Sequence, residues 1–494
     1  MKLALDILCD ASLEPWQKRN RLASAVENAL PPLPVEPAVH RYLEAGILCN
    51  LFEGQAPYRP RYVLPDYAKL LAKGSDYLNL GPAQDLFQAV NLLLTAYRFV
   101  PSITGYPVYI GALDTLLEPF WDAEAPAVRE RLLELFLVQV DRTLPDAFVH
   151  GNLGPRETQV GRAVLAIERR LRKAVPNLSL KVSPETSEAF LTEAVATALA
   201  THKPYFVNHP AMVALWGEDY GIASCYNSLR IGGGSHTLVR LNLARLAQDC
   251  PDLPTFLEQW LPDSVAAMAE LINARARFLV EETGFFEASF LAKEELVALN
   301  RFTSMAAIFG LHECVEVLTG GAQMGRDSGA DELARTITFR TRDLVKAQGA
   351  AYCEGSGGQL GFHAQTGIAG DQQASPGIRV KIGSVPDLFR QLKLQAELQQ
   401  AFDTGVSEIA LFDPTAIQNP EGVLRIVRGA LSLGLRVLSL GSSESELVRI
   451  SGYLVKRSDL ERVRRHENLR EETAALGEEA VRNGRILERA VRGV

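Results

Sequence analysis

The chain predicts an α/β fold: parallel strands wrapped by crossover helices, preceded by a mainly helical region. Two observations carry this expectation. From about residue 178 short β-prone runs alternate with helical segments, and such alternation argues for parallel strands joined by crossover helices. Before that point the apolar residues recur at helical spacing. The 494 residues are 47% hydrophobic and 22% charged, which is globular and fills a large core. That length accommodates roughly two to four ordinary domains or one large barrel. There is no sequence repeat, low-complexity tract or evident linker. The expected organisation is therefore a helical region over 1–177 and a strand-rich core over 178–494, integrated as one domain.

The elements follow in order. Leu86–Leu94 and Val128–Val140 have helical apolar spacing, and Pro31-Pro32-Leu33-Pro34 breaks the early helices. Residues 155–175 read as a helix whose Arg162, Arg169, Arg170 and Arg172 form a solvated face. Strands are expected at Leu178–Val182, Pro204–Val207, Ile378–Ile382, Glu408–Phe412 and Leu435–Leu440. Helices are expected at 239–249, 264–281, 293–319 and 386–402. From about residue 455 the chain reads as a highly charged helix or helix pair.

Several function classes are disfavoured. The net charge is −8, no basic stripe is present and there are only four Trp, which argues against nucleic-acid binding. Asp6 and Asp10 interrupt the start, so it lacks a signal-peptide core. No apolar run approaches the roughly 18 residues that a membrane span needs. A soluble cytoplasmic protein is expected. Cys9, Cys49, Cys225, Cys250, Cys314 and Cys353 never fall at Cys-x-x-Cys spacing. This argues against a locally built zinc site or iron–sulfur cluster, and free thiols are the expected state.

Near the C-terminus stands Arg449-Ile450-Ser451-Gly452-Tyr453. A Gly at such a junction is commonly a backbone device, because Gly alone takes positive φ freely. The pentapeptide also resembles the radical-bearing loop of the glycyl radical enzymes. Far upstream, Ser224-Cys225-Tyr226-Asn227 lies between glycine-rich turns, as a loop crossing an interior would. A lone Cys there is otherwise a buried structural thiol. Gly310-Leu311-His312-Glu313 resembles the Gly-Leu-x-Glu helix found between the two loops in the same enzymes. The order of the motifs fits as well, and the chain is identified as most similar to the YjjI family of glycyl radical enzymes.

That resemblance implies a ten-stranded α/β barrel. Two five-stranded parallel half-sheets would run antiparallel to each other, with outer helices and an extra helical N-terminal region. The Cys and Gly loops would meet at its centre. It implies that Gly452 stores the radical and Cys225 relays it as a thiyl to a small polar metabolite. Arg449, Ser451 and Tyr453 would form the radical loop, with Tyr453 shielding it by packing. No cofactor would be bound permanently. A separate S-adenosylmethionine-dependent iron–sulfur activating enzyme would install the radical, a homodimer is expected, and air would cut the activated chain at Gly452. A side chain at that Cα would twist the radical out of plane with its flanking amides.

The Cys loop departs from familiar members. Ser224 replaces the second cysteine of enzymes resembling pyruvate formate-lyase. Asn227 replaces the carboxylate of the Cys-x-Glu eliminases, and an amide takes no proton at neutral pH. No cysteine follows Cys353, so the zinc tail of anaerobic ribonucleotide reductases is missing. The reaction type stays open.

Asn227, Asn208 and His209 are candidate pocket residues, although Asn208 and His209 also suit a capped turn before Pro210. Glu354 and His363, around a second glycine-rich loop, are acid–base candidates. Cys353 is a second redox thiol or an inert buried one. Gly232-Gly233-Gly234 before His236 suggests a phosphate cradle but lacks a P-loop lysine. His312, Glu313 and Glu316 do not form the zinc pattern. No metal site is expected. Two other readings remain: a non-radical scaffold on the same barrel, and a phosphate-binding enzyme using Gly232–Gly234.

Overall fold

The computed structural model describes residues 2–30, 33–51, 53–54, 56–364, 374–471 and 473–493. Pro31 and Pro32 of the expected helix break lie outside the described residues. Numbered in chain order, the early strands are β1 (Leu48–Cys49), β2 (Tyr62–Leu64), β3 (His150–Leu153), β4 (Asn177–Val182) and β5 (Tyr205–Asn208). Then come β6 (Tyr220–Ala223), β7 (Asn227–Arg230), β8 (Gly233–Asn242), β9 (Phe302–Phe309) and β10 (Gly361–Ala364). The last are β11 (Glu408–Phe412), β12 (Val437–Ser442), β13 (Leu447–Arg449), β14 (Leu454–Lys456) and β15 (Val491–Arg492).

Strands β8, β9 and β10 are parallel, and β1 and β2 add antiparallel to β8. In the second sheet β3, β4 and β5 are parallel to one another, as are β12, β11 and β15. The two groups meet antiparallel where β5 pairs with β12. Parallel groups joined antiparallel, with helices outside, make the α/β barrel that the motifs implied. Gly405 bridges Asn227 of the β6–β7 hairpin and His363 of β10, which ties that hairpin to the first sheet. A Cβ at Gly405 would come within 2.6 Å of the His363 ring and 2.9 Å of the Tyr226 carbonyl, so only glycine permits the approach.

Strands β4, β9, β11 and β12 are buried along their whole length, as parallel strands covered on both faces must be. This explains the largest misreading. Residues 302–309, with Met305-Ala306-Ala307 at their centre, fall inside an expected helix but form β9; only Leu311–Thr319 of that stretch is its α-helix. Burial on two faces overrode helix propensity. Likewise 239–242 complete β8, and the helix begins at Leu243. Residues 378–382 form no strand. The Arg379 amide closes a turn on the Pro376 carbonyl, which bends this β-branched run out of any ladder.

Strands β1, β2 and β3 all precede residue 178 and pair into the two sheets, so the early region is helical in content yet part of the core. After β14 the chain forms helices Arg457–Arg464 and Thr473–Gly484 and returns to pair β15 with β11. No helix among the described residues is long and apolar enough to cross a membrane.

Candidate active site

The site is two hairpin tips held against one sheet. Strands β6 and β7 pair antiparallel and leave Ser224, Cys225 and Tyr226 at the tip. Ser224 is left-handed, with φ of +56°, which turns the chain sharply before the cysteine. Cys225 is buried, its Sγ 3.6 Å from Ser224 Oγ. It packs with Tyr205, Tyr226, Ile222 and Trp216. The second hairpin pairs β13 with β14, and the Ile450 amide donates to the Tyr453 carbonyl at 3.0 Å across its tip. Gly452 is buried there and is not among the described glycines with left-handed φ. Backbone handedness therefore does not account for glycine at this position.

Two side chains that are direct partners in the β3–β4 ladder hold one tip each: His150 opposite Asn177. Asn177 Nδ2 donates to the Gly452 carbonyl at 3.1 Å. His150 Nδ1 lies 2.7 Å from the Ser224 carbonyl, and Nε2 lies 2.7 Å from Ser179 Oγ. A carbonyl only accepts, so Nδ1 carries the proton and Nε2 accepts from the serine. Burial first, and then the charges of Arg449 and Lys203, push the imidazole down to about 3, keeping it neutral. Asn152, on the same face as His150, pairs through both ends of its amide with the Ile222 backbone, each bond 2.8 Å. The Cys hairpin is thus docked almost as a further strand.

Arginines hold the glycine tip. Arg449, fully buried, donates to Asn177 Oδ1 at 3.2 Å and to the His202 carbonyl, and lies 4.1 Å over the Tyr205 ring. Arg489, from the tail, donates to the Arg449 and Ile450 carbonyls, both at 2.8 Å. Arg379 donates to Ser451 Oγ at 2.8 Å, and its guanidinium lies 5.8 Å from the Tyr226 ring, so one side chain touches both tips. Cys225 interacts electrostatically with Arg449 and with Tyr453. Phe148 packs on Tyr453, ring centres 4.8 Å apart, and on the Cys-loop cluster as well. The surroundings are dry and rich in tyrosine.

The chain matches the family described as "Glycyl radical enzyme YjjI-like" over residues 13–492. It belongs to the YjjI-like glycyl radical enzymes. It is 39% identical over 492 residues to the YjjI protein of Escherichia coli (strain K12), spanning 98% of this chain and 95% of that protein. A protein of Haemophilus influenzae (strain ATCC 51907 / DSM 11121 / KW20 / Rd) is 36% identical over 91% of this chain and 89% of its own length. Among solved structures, the B12-independent glycerol dehydratase of Clostridium butyricum superposes with a TM-score of 0.71 at 10% identity, over 97% of this chain and 84% of that one. Hydroxyproline dehydratase of Clostridioides difficile gives 0.68 at 13%, covering 97% and 85%. An anaerobic ribonucleotide reductase gives 0.70 at 12%, covering 93% and 88%. At such identities these structures speak for the barrel fold alone.

The other expected residues separate. Asn227 is buried beside the Cys tip; its Nδ2 donates to the Ala223 carbonyl at 3.1 Å and its Oδ1 has no partner among the described residues. His363 stacks on Tyr226 at 5.8 Å, with Nδ1 unpartnered among the described residues; burial and then Arg61 push it down to about 3, so it stays neutral. Glu354 sits exposed on a 3₁₀ turn and does not join them. Burial holds the neighbouring Cys353 thiol at about 11, so it is inert. Asn208 caps helix His209–Trp216 and donates to the Leu431 and Leu435 carbonyls, leaving nothing for a substrate. His209 bonds Tyr220 Oη at 2.9 Å and faces Glu218, a surface arrangement. The Gly232–Gly234 run is not a phosphate cradle. A Cβ at Gly233 would lie 2.2 Å from the Arg301 carbonyl and one at Gly234 2.0 Å from that of Tyr62, so close strand packing requires these glycines. His236 is buried beside Ser304 and pushed down to about 4 by that burial.

His150, Asn152, Asn177, Arg379 and Arg489 were not legible as site residues. Polar residues inside otherwise apolar strands were the available signal: Asn177 and Ser179 among Leu178, Leu180 and Val182.

Proposed function

We propose that Gly452 stores the radical of this glycyl radical enzyme and that Cys225 relays it. A separate radical S-adenosylmethionine enzyme, carrying its own iron–sulfur cluster, takes one hydrogen atom from the Gly452 Cα. On substrate binding the Cys225 S–H bond breaks, its hydrogen atom passes to Gly452, and the thiyl remains. The thiyl takes a hydrogen atom from a substrate carbon. The substrate radical rearranges or loses a group, recovers hydrogen from the thiol, and the spin returns to Gly452. Exclusion of water protects each radical.

The observation that supports this most is the pairing of His150 with Asn177. Neighbours in one ladder fix the Cys tip and the Gly tip, so the sheet sets the spacing of the two reacting centres. The chain offers no carboxylate at the Asn227 position, and His363 is held neutral. The open Asn227 Oδ1 suits a substrate hydroxyl or amine donor in a small polar metabolite. Anaerobic incubation with a cognate activating enzyme, S-adenosylmethionine and a reductant should yield a glycyl EPR doublet, absent in Gly452→Ala. A doublet that survives in Gly452→Ala, or none at all in the parent with a competent activating enzyme, would refute the assignment.

A further inference from the structure

A cavity of about 550 Å³ opens behind the glycine tip, with Ile450 and Ser451 in its wall. That volume is within the usual range for small-molecule sites. Its inner charged groups are Arg379, Arg489, Arg492 and Glu408. The guanidiniums are well hydrogen-bonded, but to neutral oxygens. Arg379 donates to the Ser407 carbonyl and hydroxyl and to Ser451 Oγ. Arg489 donates to the Arg449 and Ile450 carbonyls, and Arg492 to the Ala490 carbonyl and Gln391 Oε1. Glu408 lies 3.9 Å from Arg379. Its Oε1 accepts from the Ile409 amide, while its Oε2 is buried without a partner among the described residues. Glu313 and Glu316 also line the cavity; Glu313 accepts from the Ser375 amide and hydroxyl, and Glu316 lies 3.7 Å from Lys381.

Six cations therefore line the cavity against three carboxylates, Glu313, Glu316 and Glu408, in a partly buried setting where charge calls for compensation. What is short is negative charge rather than hydrogen bonds. Burial, and then the neighbouring Arg379 and Arg449 charges, accordingly lower Arg489 to about 9. Lys381, half exposed at the rim, is offset by Glu316 at 3.7 Å.

We propose that this cavity binds a small ligand that carries an oxyanion, carboxylate or phosphate, and a hydroxyl or ammonium donor for the open oxygen of Glu408. The ligand's anion sits among Arg379, Arg489 and Arg492. Two of these arginines also hold the glycine tip, so a bound anion offsets their mutual repulsion and tightens that hold. The value of this coupling to catalysis rests on the role given to Gly452, whereas binding itself does not.

The test uses the full-length protein before any activation, so a failed radical assignment leaves its outcome readable. Calorimetric titrations employ malonate, hydroxymalonate and inorganic phosphate, with glycerol as the uncharged control. Saturable binding of malonate or phosphate is expected, and the stronger of the two arms identifies the oxyanion. Hydroxymalonate should bind more tightly than malonate, and glycerol should not bind. Arg492→Gln should weaken binding about tenfold. Lys381→Gln, which leaves β15 untouched, should weaken it less. Bound anion should slow amide exchange over 447–456. No saturable anion binding, or parental affinity in both variants, overturns the site; binding with unchanged exchange overturns the coupling.

Discussion

The Cys hairpin and the Gly hairpin are similar in shape and opposite in how they are fixed. The first is held by backbone and strand-borne groups. Asn152 mimics a strand neighbour, the Ser224 amide bonds the Val108 carbonyl, the Ser228 amide bonds the Thr404 carbonyl, and Tyr226 Oη bonds the Ala364 carbonyl. The second is clasped by long cationic side chains, one of them from the tail. The thiol is therefore fixed by the barrel itself, while the glycine has one strand-borne anchor, Asn177, and otherwise depends on arginines that can be altered without dismantling a sheet.

The largest expected effect separates the two hairpins chemically. Cys225→Ser should keep the EPR doublet and lower turnover to background, because a serine hydroxyl gives up hydrogen far less readily than a thiol. Retained turnover would remove Cys225 from the relay. Next comes the clasp. Arg489→Gln removes two charge-assisted bonds, a local loss of about 2 kcal/mol, and should speed amide exchange at 448–455 roughly thirtyfold while leaving 220–230 unchanged. Equal acceleration in both hairpins would erase the contrast. Asn177→Ala, which deletes the bond to the Gly452 carbonyl and the one Asn177 accepts from Arg449, should cost about 1.5 kcal/mol and accelerate the same amides roughly tenfold.

A separate effect concerns acid and global unfolding. The folded His150 titrates near 3, below its ordinary 6.5, so the unfolded chain binds the proton first as pH falls. Its contribution is fully present above about pH 6.5 and declines towards pH 3, at up to about 1.4 kcal/mol per pH unit. Urea unfolding at pH 6.0 and 5.0 should show a shallower acid loss in His150→Gln than in the parent. Identical slopes would mean that His150 is protonated in the folded protein.

What could be read from the chain follows the reach of each interaction. The Gly452 and Cys225 motifs are local strings whose chemistry depends on residue type, and strand–helix alternation is a local pattern, so both were legible. His150 and Asn177 become neighbours only through strand register, which no single window contains. Arg379 lay within an expected strand and Arg489 within a charged helical tail, and only the folded barrel brings their heads against a loop. Asn208 and Glu354 misled in the other direction. A polar residue beside a turn looks the same whether it serves a substrate, caps a helix or faces solvent. Strand β9 was missed because Ala and Met fill a strand buried on both faces as well as they fill a helix.

The return of the tail to the sheet has a consequence for damage. If oxygen cuts an activated chain at Gly452, residues 453–494 are severed but not released. Tyr453, Val455, Leu460 and Ile486 share one apolar cluster with Val448 and Ile450 across the break. Strand β14 stays zipped to β13 and β15 to β11, and Arg489 still grips the carbonyls of Arg449 and Ile450. The nicked enzyme should persist as a two-piece complex of unchanged native mass, splitting into fragments only under denaturing conditions. A spent molecule would then pass through gel filtration as an intact one.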